Sequence, residues 1–156
     1  MLLRIAGLAA AAIVAGSTTA PVTPPRSAAV TYVVRMNGGQ ETPANNTKGT
    51  GSGTFTIDGS KLKYSIDVKD LSGAASAAHI HVGAMGVSGP PVYTFAVKAS
   101  ADGNISEGTI DLTTDASAGV SGDSLRKLMS NGNAYVNVHT KNFPAGEVRG
   151  QAVRKQ

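Results

Sequence analysis

The segment AAHIHVG, at residues 77–83, alternates apolar residues with histidines. Successive side chains of a β-strand point to opposite faces of its sheet. On a strand, His79 and His81 therefore share one face. Ile80 and Val82 lie on the other face, which would pack against a hydrophobic core. The segment predicts a half-buried strand whose polar face carries two imidazole rings.

Two later segments repeat this alternation, AYVNVHT at residues 134–140 and EVRGQ at residues 147–151. The predicted core-facing residues are Val136, Val138 and Val148, and the predicted polar-face residues are Tyr135, Asn137, His139, Glu147, Arg149 and Gln151. A turn near Pro144 would join the two strands as a hairpin and set His139 opposite or nearly opposite Arg149. The polar faces of the three segments could then form one patch on the outside of a sheet.

Short β-rich runs separated by turn-forming clusters make up most of the chain after residue 29. The predicted strands are residues 30–36, 53–57, 62–68, 77–82, 92–97, 103–112, 134–140 and 147–153. One helix is predicted at residues 124–130, with Ser121 or Asp123 as its N-cap and Asn131-Gly132 at its end. We therefore predict an all-β fold, an antiparallel Greek-key β-sandwich of about seven or eight strands with one short helix.

The composition of the 156-residue chain excludes several classes of protein. Charged residues are 15% of the chain, against a usual value of about 25%, and glycine is abundant, which excludes a helical bundle or a coiled coil. The chain has no cysteine, which excludes disulfides, thiolate metal sites and cysteine nucleophiles. The net charge of +4 is scattered and aromatic residues are 4%, so nucleic-acid binding is not expected.

The N-terminal residues have the pattern of a secretory signal peptide. Arg4 precedes an apolar run at residues 5–16, which is too short for a typical membrane span. The predicted divisions are a signal peptide at residues 1–20 (cleavage between 16 and 29), a Pro-rich linker at 21–29 and one domain at 30–156. After cleavage the protein is predicted to be secreted or periplasmic, with no membrane association.

The chain has three histidines, and all of them lie on the predicted polar faces. If the strands of residues 77–82 and 134–140 are close, His79, His81 and His139 converge. Imidazole suits copper, zinc, nickel and iron, and three ligands leave a coordination position open. We predict copper, with zinc as the alternative, because nitrogen sites bind Cu²⁺ most strongly among these divalent ions. A hydrogen-bonded structural cluster and unrelated surface histidines are the other interpretations.

Polar neighbours of the histidines are candidates for supporting roles. Asn137 shares the face of His139 and could orient an imidazole, and Glu147 is a second candidate beside it. A surface ion pair with Arg149 or a nearby lysine is the alternative for Glu147. Gln40 and Glu41 follow Gly38-Gly39; we predict that they belong to a turn, although they could instead reach the histidines.

The chain resembles the CHRD (chordin-like) domain family over about residues 31–153. The matching motifs are MNGGQETP at 36–43, GTGSGTF at 49–55, LSG at 71–73, AHIHVG at 78–83, GPPV at 89–92, NAYVNVHT at 133–140 and FPAGEVRGQ at 143–151. The resemblance implies an exported β-rich domain, found in animal chordins and as a stand-alone bacterial module. It implies no settled chemistry. The growth-factor-binding modules that accompany the domain in chordin are absent here, so that partner is not carried over.

The histidine pattern also resembles copper-zinc superoxide dismutases, which are Greek-key β-sandwiches with a His-x-His strand. This resemblance implies that His79, His81 and His139 are copper ligands and that Arg149 guides a small anionic substrate such as superoxide. The chain has no fourth histidine to bridge a zinc ion, no disulfide and no acidic zinc subsite. The implied site is therefore copper-only. The fold would be either of this type or immunoglobulin-like.

Two functions follow from these observations. The first is an exported copper protein with superoxide-dismutase-like activity. The second is a non-enzymatic extracellular or periplasmic binding module in which the histidines form a structural cluster.

Overall fold

A computed structural model describes residues 28–114 and 120–156. Within these residues the chain forms nine strands, one α-helix and one 3-10 helix. The strands are β1 (Val30–Asn37), β2 (Thr50–Asp58), β3 (Lys61–Lys69), β4 (Ala75–Val82), β5 (Pro91–Phe95), β6 (Gly103–Asp111), β7 (Ala134–Thr140), β8 (Val148–Gln151) and β9 (Val153–Arg154). The 3-10 helix is Gly38–Gln40 and the α-helix, α1, is Gly122–Ser130. The predicted signal peptide, and the linker apart from residues 28 and 29, lie outside the described residues.

The strands form one antiparallel sheet in the order β5-β4-β7-β8-β1-β2-β3-β6, with β9 paired to β1. Its two halves meet between β1 and β8, where Asn37 is paired with Arg149. The far edges approach each other as well, because Lys98 donates its N–H to the carbonyl of Ile105 at 2.7 Å. The prediction of an all-β antiparallel fold with one short helix is confirmed, as a nearly closed, sandwich-like sheet.

An aromatic cluster packs the two halves against each other. The ring centroids of Phe55 on β2 and Phe95 on β5 lie 6.1 Å apart, and Tyr64 on β3 lies 4.8 Å from Phe95. Phe55 is completely buried. These contacts make one core between the half that carries β1–β2–β3–β6 and the half that carries β4 and β7.

The predicted core residues of the histidine-bearing strands face this core. Ile80, Val136, Val138 and Val148 are buried, and Val82 is half-buried and packs against them. His79 and His81 lie on the opposite face, as the two-residue period of a strand requires. The strand register predicted from alternation is therefore confirmed.

The single α-helix begins two residues earlier than its predicted start at residue 124. Ser121 is the N-cap, and its side chain accepts a hydrogen bond from the N–H of Ser124. Leu125 and Met129 form its buried face. Asn131 caps the C-terminal end. Within the described residues, no helix is long and apolar enough to cross a membrane.

Between β7 and β8, Arg149 is paired with Asn137. His139 lies two residues further along β7, so it is nearly opposite Arg149, as expected, and not directly opposite. The polar face is also not an outer surface, since only 3% of Asn137 and 2% of Arg149 are exposed. Residues 38–48 and 83–90 contact these two side chains and cover this part of the face, whereas the three histidines stay half-buried.

Candidate metal centre

The three histidines come together because β4 and β7 are neighbours in the sheet. His79 is paired with Asn137, and Ala77 with His139, so His79 and His139 are diagonal neighbours on one face. One nitrogen from each of the three rings lies within 4.8 Å of those of the other two. The convergence predicted from the sequence is found in the described part of the chain.

His139 is oriented by a backbone carbonyl. Its Nδ1 lies 3.0 Å from the carbonyl oxygen of Pro144, which can only accept a hydrogen bond. The hydrogen of neutral His139 is therefore on Nδ1, and the lone pair of Nε2 faces the cluster. That Nε2 lies 3.0 Å from Nδ1 of His79, which must donate the hydrogen between them.

His81 is oriented in the same way by the loop at residues 83–90. Its Nδ1 donates to the carbonyl oxygen of Gly89 at 2.8 Å. Its Nε2 is buried and has no hydrogen-bond partner among the residues that the structure describes. An imidazole lone pair without a partner in a buried position is unusual. The donor atoms available to a metal are thus Nε2 of His81, Nε2 of His139 and, once its hydrogen is displaced, Nδ1 of His79.

Electrostatics keep the three rings neutral. Burial, together with the neighbouring His139 and His81, lowers the pKa of His79 to about 4. Burial also lowers the pKa values of His81 and His139, although their hydrogen bonds to backbone carbonyls act in the opposite direction. Metal ligation requires neutral imidazole, so the site is ready to accept a cation at neutral pH.

Tyr135 on β7 separates His81 from Arg149. Its ring is nearly parallel to the imidazole of His81, with centroids 4.8 Å apart. The guanidinium carbon of Arg149 lies 3.5 Å from the centre of the same ring. Planar guanidinium groups stack well on aromatic rings. This stack fixes the ring of His81 from the side opposite to β5.

Arg149 holds two covering segments to the sheet. It donates to Oγ1 of Thr42 at 3.2 Å and to the carbonyl oxygens of Ala84 and Val87 at 3.1 and 2.9 Å. These contacts and its 2% exposure favour a structural role. The guidance of anions by Arg149 stays a prediction, and its burial does not favour it.

Asn137 contacts a carboxyl group. Its Nδ2 donates to Oε1 of Glu41 at 2.6 Å, and its Oδ1 is buried with no partner in the described part of the chain. The carbonyls of Pro144 and Gly89 provide the orienting contacts of the imidazoles instead. Glu41 was expected in a turn and does follow one, the 3-10 helix, but its side chain reaches the polar face. No local pattern in the motif GGQETP indicates this contact, since its partner Asn137 lies 96 residues away in the sequence.

Glu147 has a different environment from the one expected. It is completely buried, and it accepts hydrogen bonds from the hydroxyls of Thr47, Ser72 and Thr140 and from the N–H of Ser72, at 2.6–2.8 Å. Burial alone would raise its pKa, but these hydrogen bonds together lower it. The described contacts of Glu147 therefore include neither the expected surface ion pair nor an imidazole. It ties residue 47, the segment after β3 and the end of β7 together.

The family comparison agrees with this architecture. The family model of the CHRD domain matches residues 32–152, which is most of the chain and includes every residue of the histidine cluster. No curated protein and no solved structure matches significantly. CHRD domains occur in extracellular proteins. With the matching motifs and the β-rich domain both in place, the chain belongs to the CHRD domain family.

Proposed function

We propose that this chain is an exported CHRD-domain protein that binds one copper ion through His79, His81 and His139. The observation that carries the proposal is the buried, unpartnered Nε2 of His81, beside nitrogens of two further histidines within 4.8 Å. A bound metal ion would satisfy this lone pair. Export is supported by the signal-like pattern of residues 1–20 and by the family.

The geometry of the rings supports a metal over a chance cluster. Metal–imidazole distances are about 2.0–2.1 Å, so two nitrogens on a tetrahedral ion lie roughly 3.3 Å apart. Nδ1 of His79 and Nε2 of His139 are already 3.0 Å apart. The carbonyl of Pro144 binds Nδ1 of His139, and the carbonyl of Gly89 binds Nδ1 of His81. Ligating histidines usually have such a hydrogen bond from the ring nitrogen that does not bind the metal. Small rotations of the rings would complete the site.

Copper is favoured by the donor set. Three imidazoles and no carboxylate make a nitrogen site, and such sites bind Cu²⁺ more strongly than Zn²⁺. An exported protein also avoids the strict control of copper in the cytosol. Zinc is the alternative metal, and direct competition between the two ions separates these cases.

An open position at the metal suggests the reaction to test. With three protein ligands, a small anion such as superoxide could bind the copper. Cu²⁺ would oxidise one superoxide to O₂, and the resulting Cu⁺ would reduce a second one with two protons to H₂O₂. We place this dismutation second to copper binding, since Arg149 is occupied by structural contacts.

The competing function is a binding module without a metal. The hydrogen bonds of the cluster to each other and to two carbonyls support it, because they hold the rings without an ion. Untagged protein dialysed against equimolar Cu²⁺ and Zn²⁺ tests both, with metal analysis as the readout. One copper per chain supports the proposed function. Retention of neither metal would favour the binding module. Retention of zinc alone would contradict copper binding and would mean that the site holds a metal without redox chemistry.

A further inference from the structure

Glu41 places a carboxyl group on the face that carries the three histidines. The chain turns through Gly38–Gln40, and the N–H of Glu41 closes this turn on the carbonyl of Gly38 at 3.1 Å. Its side chain then points back to the sheet and accepts from Nδ2 of Asn137 at 2.6 Å. Asn137 is paired with His79 and precedes His139 by two residues. One amide side chain thus lies between the carboxyl group and two of the candidate ligands.

The hairpin turn leaves room for this contact. Gly146 has a φ of +136°, a conformation that other residues rarely adopt. A Cβ atom there would lie 2.6 Å from Oε1 of Glu41 and would overlap Nδ2 of Asn137. Glycine at this position therefore leaves the space that the hydrogen bond between Glu41 and Asn137 occupies.

Two clefts give the carboxyl group access to solvent. One, of about 240 Å³, lies between residues 41–45 and the turn at 142–146. The other, of about 210 Å³, is lined by residues that include Gln40, Met85 and Arg149. Glu41 lines both clefts. A proton can therefore pass between this group and water.

Glu41 is near one cation, but that cation directs its hydrogen bonds to other groups. Arg149, from β8, is the cation that acts on it, but the hydrogen bonds of Arg149 go to Thr42, Ala84 and Val87. The loop at 83–90 has no titratable side chain, and Lys141 of the turn is exposed. His79 on β4 and His139 on β7 are neighbours of Asn137, the residue that donates to Glu41. Burial raises the pKa of Glu41 to about 7, against smaller opposite effects of Arg149 and Asn137.

We infer that Glu41 is the charge-compensating acid of the three-histidine site, an inference that rests on the proposed copper binding. Three neutral imidazoles leave a bound Cu²⁺ with its full charge, close to the buried cation of Arg149. A bound cation of this kind strongly favours the ionised form of nearby acids. Glu41 would hold its proton when the site is empty. It would release that proton through the clefts to water when Cu²⁺ binds, and it would recover one when the metal leaves.

The inference predicts that copper binding depends on pH through Glu41. Binding of Cu²⁺ should tighten as the pH rises, by up to about tenfold per pH unit below the Glu41 pKa. Cu⁺ carries half the charge, so its binding should change less. A residue that only shapes the fold would affect both ions alike. This difference separates charge compensation from a structural role.

Glu41→Gln tests the inference, because glutamine keeps the acceptor for Asn137 and removes the charge. Cu²⁺ and Cu⁺ affinities are measured by chelator competition at pH 5–8, and proton release by titration in weakly buffered solution. Glu107→Gln is the matched control, since Glu107 is exposed on β6. Glu41→Asp retains an acid and should restore part of the pH dependence.

The expected result is one copper per chain in every variant, with up to about one proton fewer released by Glu41→Gln at pH 6. Its Cu²⁺ affinity should be about tenfold weaker at pH 8, with a smaller loss for Cu⁺. Equal proton release and equal affinity in Glu41→Gln and wild type would overturn the inference alone. Absence of copper binding by wild type would overturn the proposed function and this inference with it.

A measurement on the wild-type protein serves if Glu41→Gln does not fold. Infrared difference spectra at pH 6, with and without Cu²⁺, report protonated carboxyl groups directly. Loss of a protonated-carboxyl band on copper binding supports the inference, and labelling of glutamate with carbon-13 should shift that band. A band that is unchanged by bound copper would overturn it.

Discussion

Nδ1 of His79 lies 3.0 Å from Nε2 of His139, across the pairing of β4 with β7. Because His139 directs its own N–H to Pro144, the hydrogen between the two rings belongs to His79. A metal ion would take the place of that hydrogen, which would move to Nε2 of His79. The same contact thus stabilises the metal-free protein and prepares two of the three ligands.

Loss of one ligand should abolish tight copper binding. In His139→Ala, two imidazoles remain and one of them, His79, loses its partner. We expect bound copper to fall from one per chain to a small fraction under the same dialysis, with the fold retained. Lys141→Ala is the control, since Lys141 is exposed and close in sequence. Full copper occupancy in His139→Ala would show that the ion binds elsewhere.

The metal-free protein should lose stability on acidification because of His79. Its pKa is about 4 in the folded protein and about 6.5 in an unfolded chain, so the unfolded state binds more protons between these values. This contribution is fully present above pH 6.5 and is lost as the pH falls toward 4. Urea unfolding at several pH values should show a shallower loss in His79→Gln. An identical pH dependence in both proteins would show that His79 is not the source of the loss of stability.

Gly146→Ala should destabilise the protein more than a comparable change elsewhere. At Gly146 a Cβ would meet the carboxyl of Glu41, whereas at Gly86, with a φ of +74°, it would meet nothing within 4 Å. Both substitutions strain the backbone, which costs about 1 kcal/mol or more, but only the first displaces the partly buried pair of Glu41 and Asn137. We expect an additional loss of about 1–2 kcal/mol for Gly146→Ala, measured by urea unfolding. Equal losses would indicate that the Glu41–Asn137 contact adds little.

Glu147→Gln should be strongly destabilising, because all of the side-chain partners described for Glu147 are hydroxyl and N–H donors. The carboxylate accepts four hydrogen bonds, and a glutamine would place an N–H₂ group where two donors now point. A loss of about 2–3 kcal/mol in the free energy of unfolding is expected at pH 7. The loss should shrink as the pH falls below 4.5, since the lowered pKa of Glu147 stabilises the fold only while it is ionised. Glu107→Gln, an exposed control, should change stability by less than about 0.5 kcal/mol; a similar small change in Glu147→Gln would contradict this account.

Alternation along the strands made part of this arrangement predictable. The two-residue period alone separates His79 and His81 from Ile80, and the same period places Val136 and His139 on opposite faces. The helix at Gly122–Ser130 was predictable in the same way, from Ser121 and the spacing of Leu125 and Met129. These features depend on residues close together in the chain.

The features that were not predictable depend on segments far apart in the sequence. Residues 38–48 and 83–90 fold over the polar face, and this covering buries Arg149 and Asn137, which alternation alone places on an outer surface. Glu147 comes directly before β8, where the alternation of a strand no longer applies. It is buried because hydroxyl and N–H donors from residues 47, 72 and 140 surround it. No local pattern encodes that set of partners.

Electron paramagnetic resonance of the copper-loaded protein, purified without a histidine tag, tests the central claim most directly. We predict one Cu²⁺ per chain, with a spectrum that shows imidazole nitrogens as ligands and that is lost in His79→Ala, His81→Ala and His139→Ala. Persistence of the wild-type spectrum in these three variants, or no tight binding of copper to the wild-type chain, would contradict the proposed copper site.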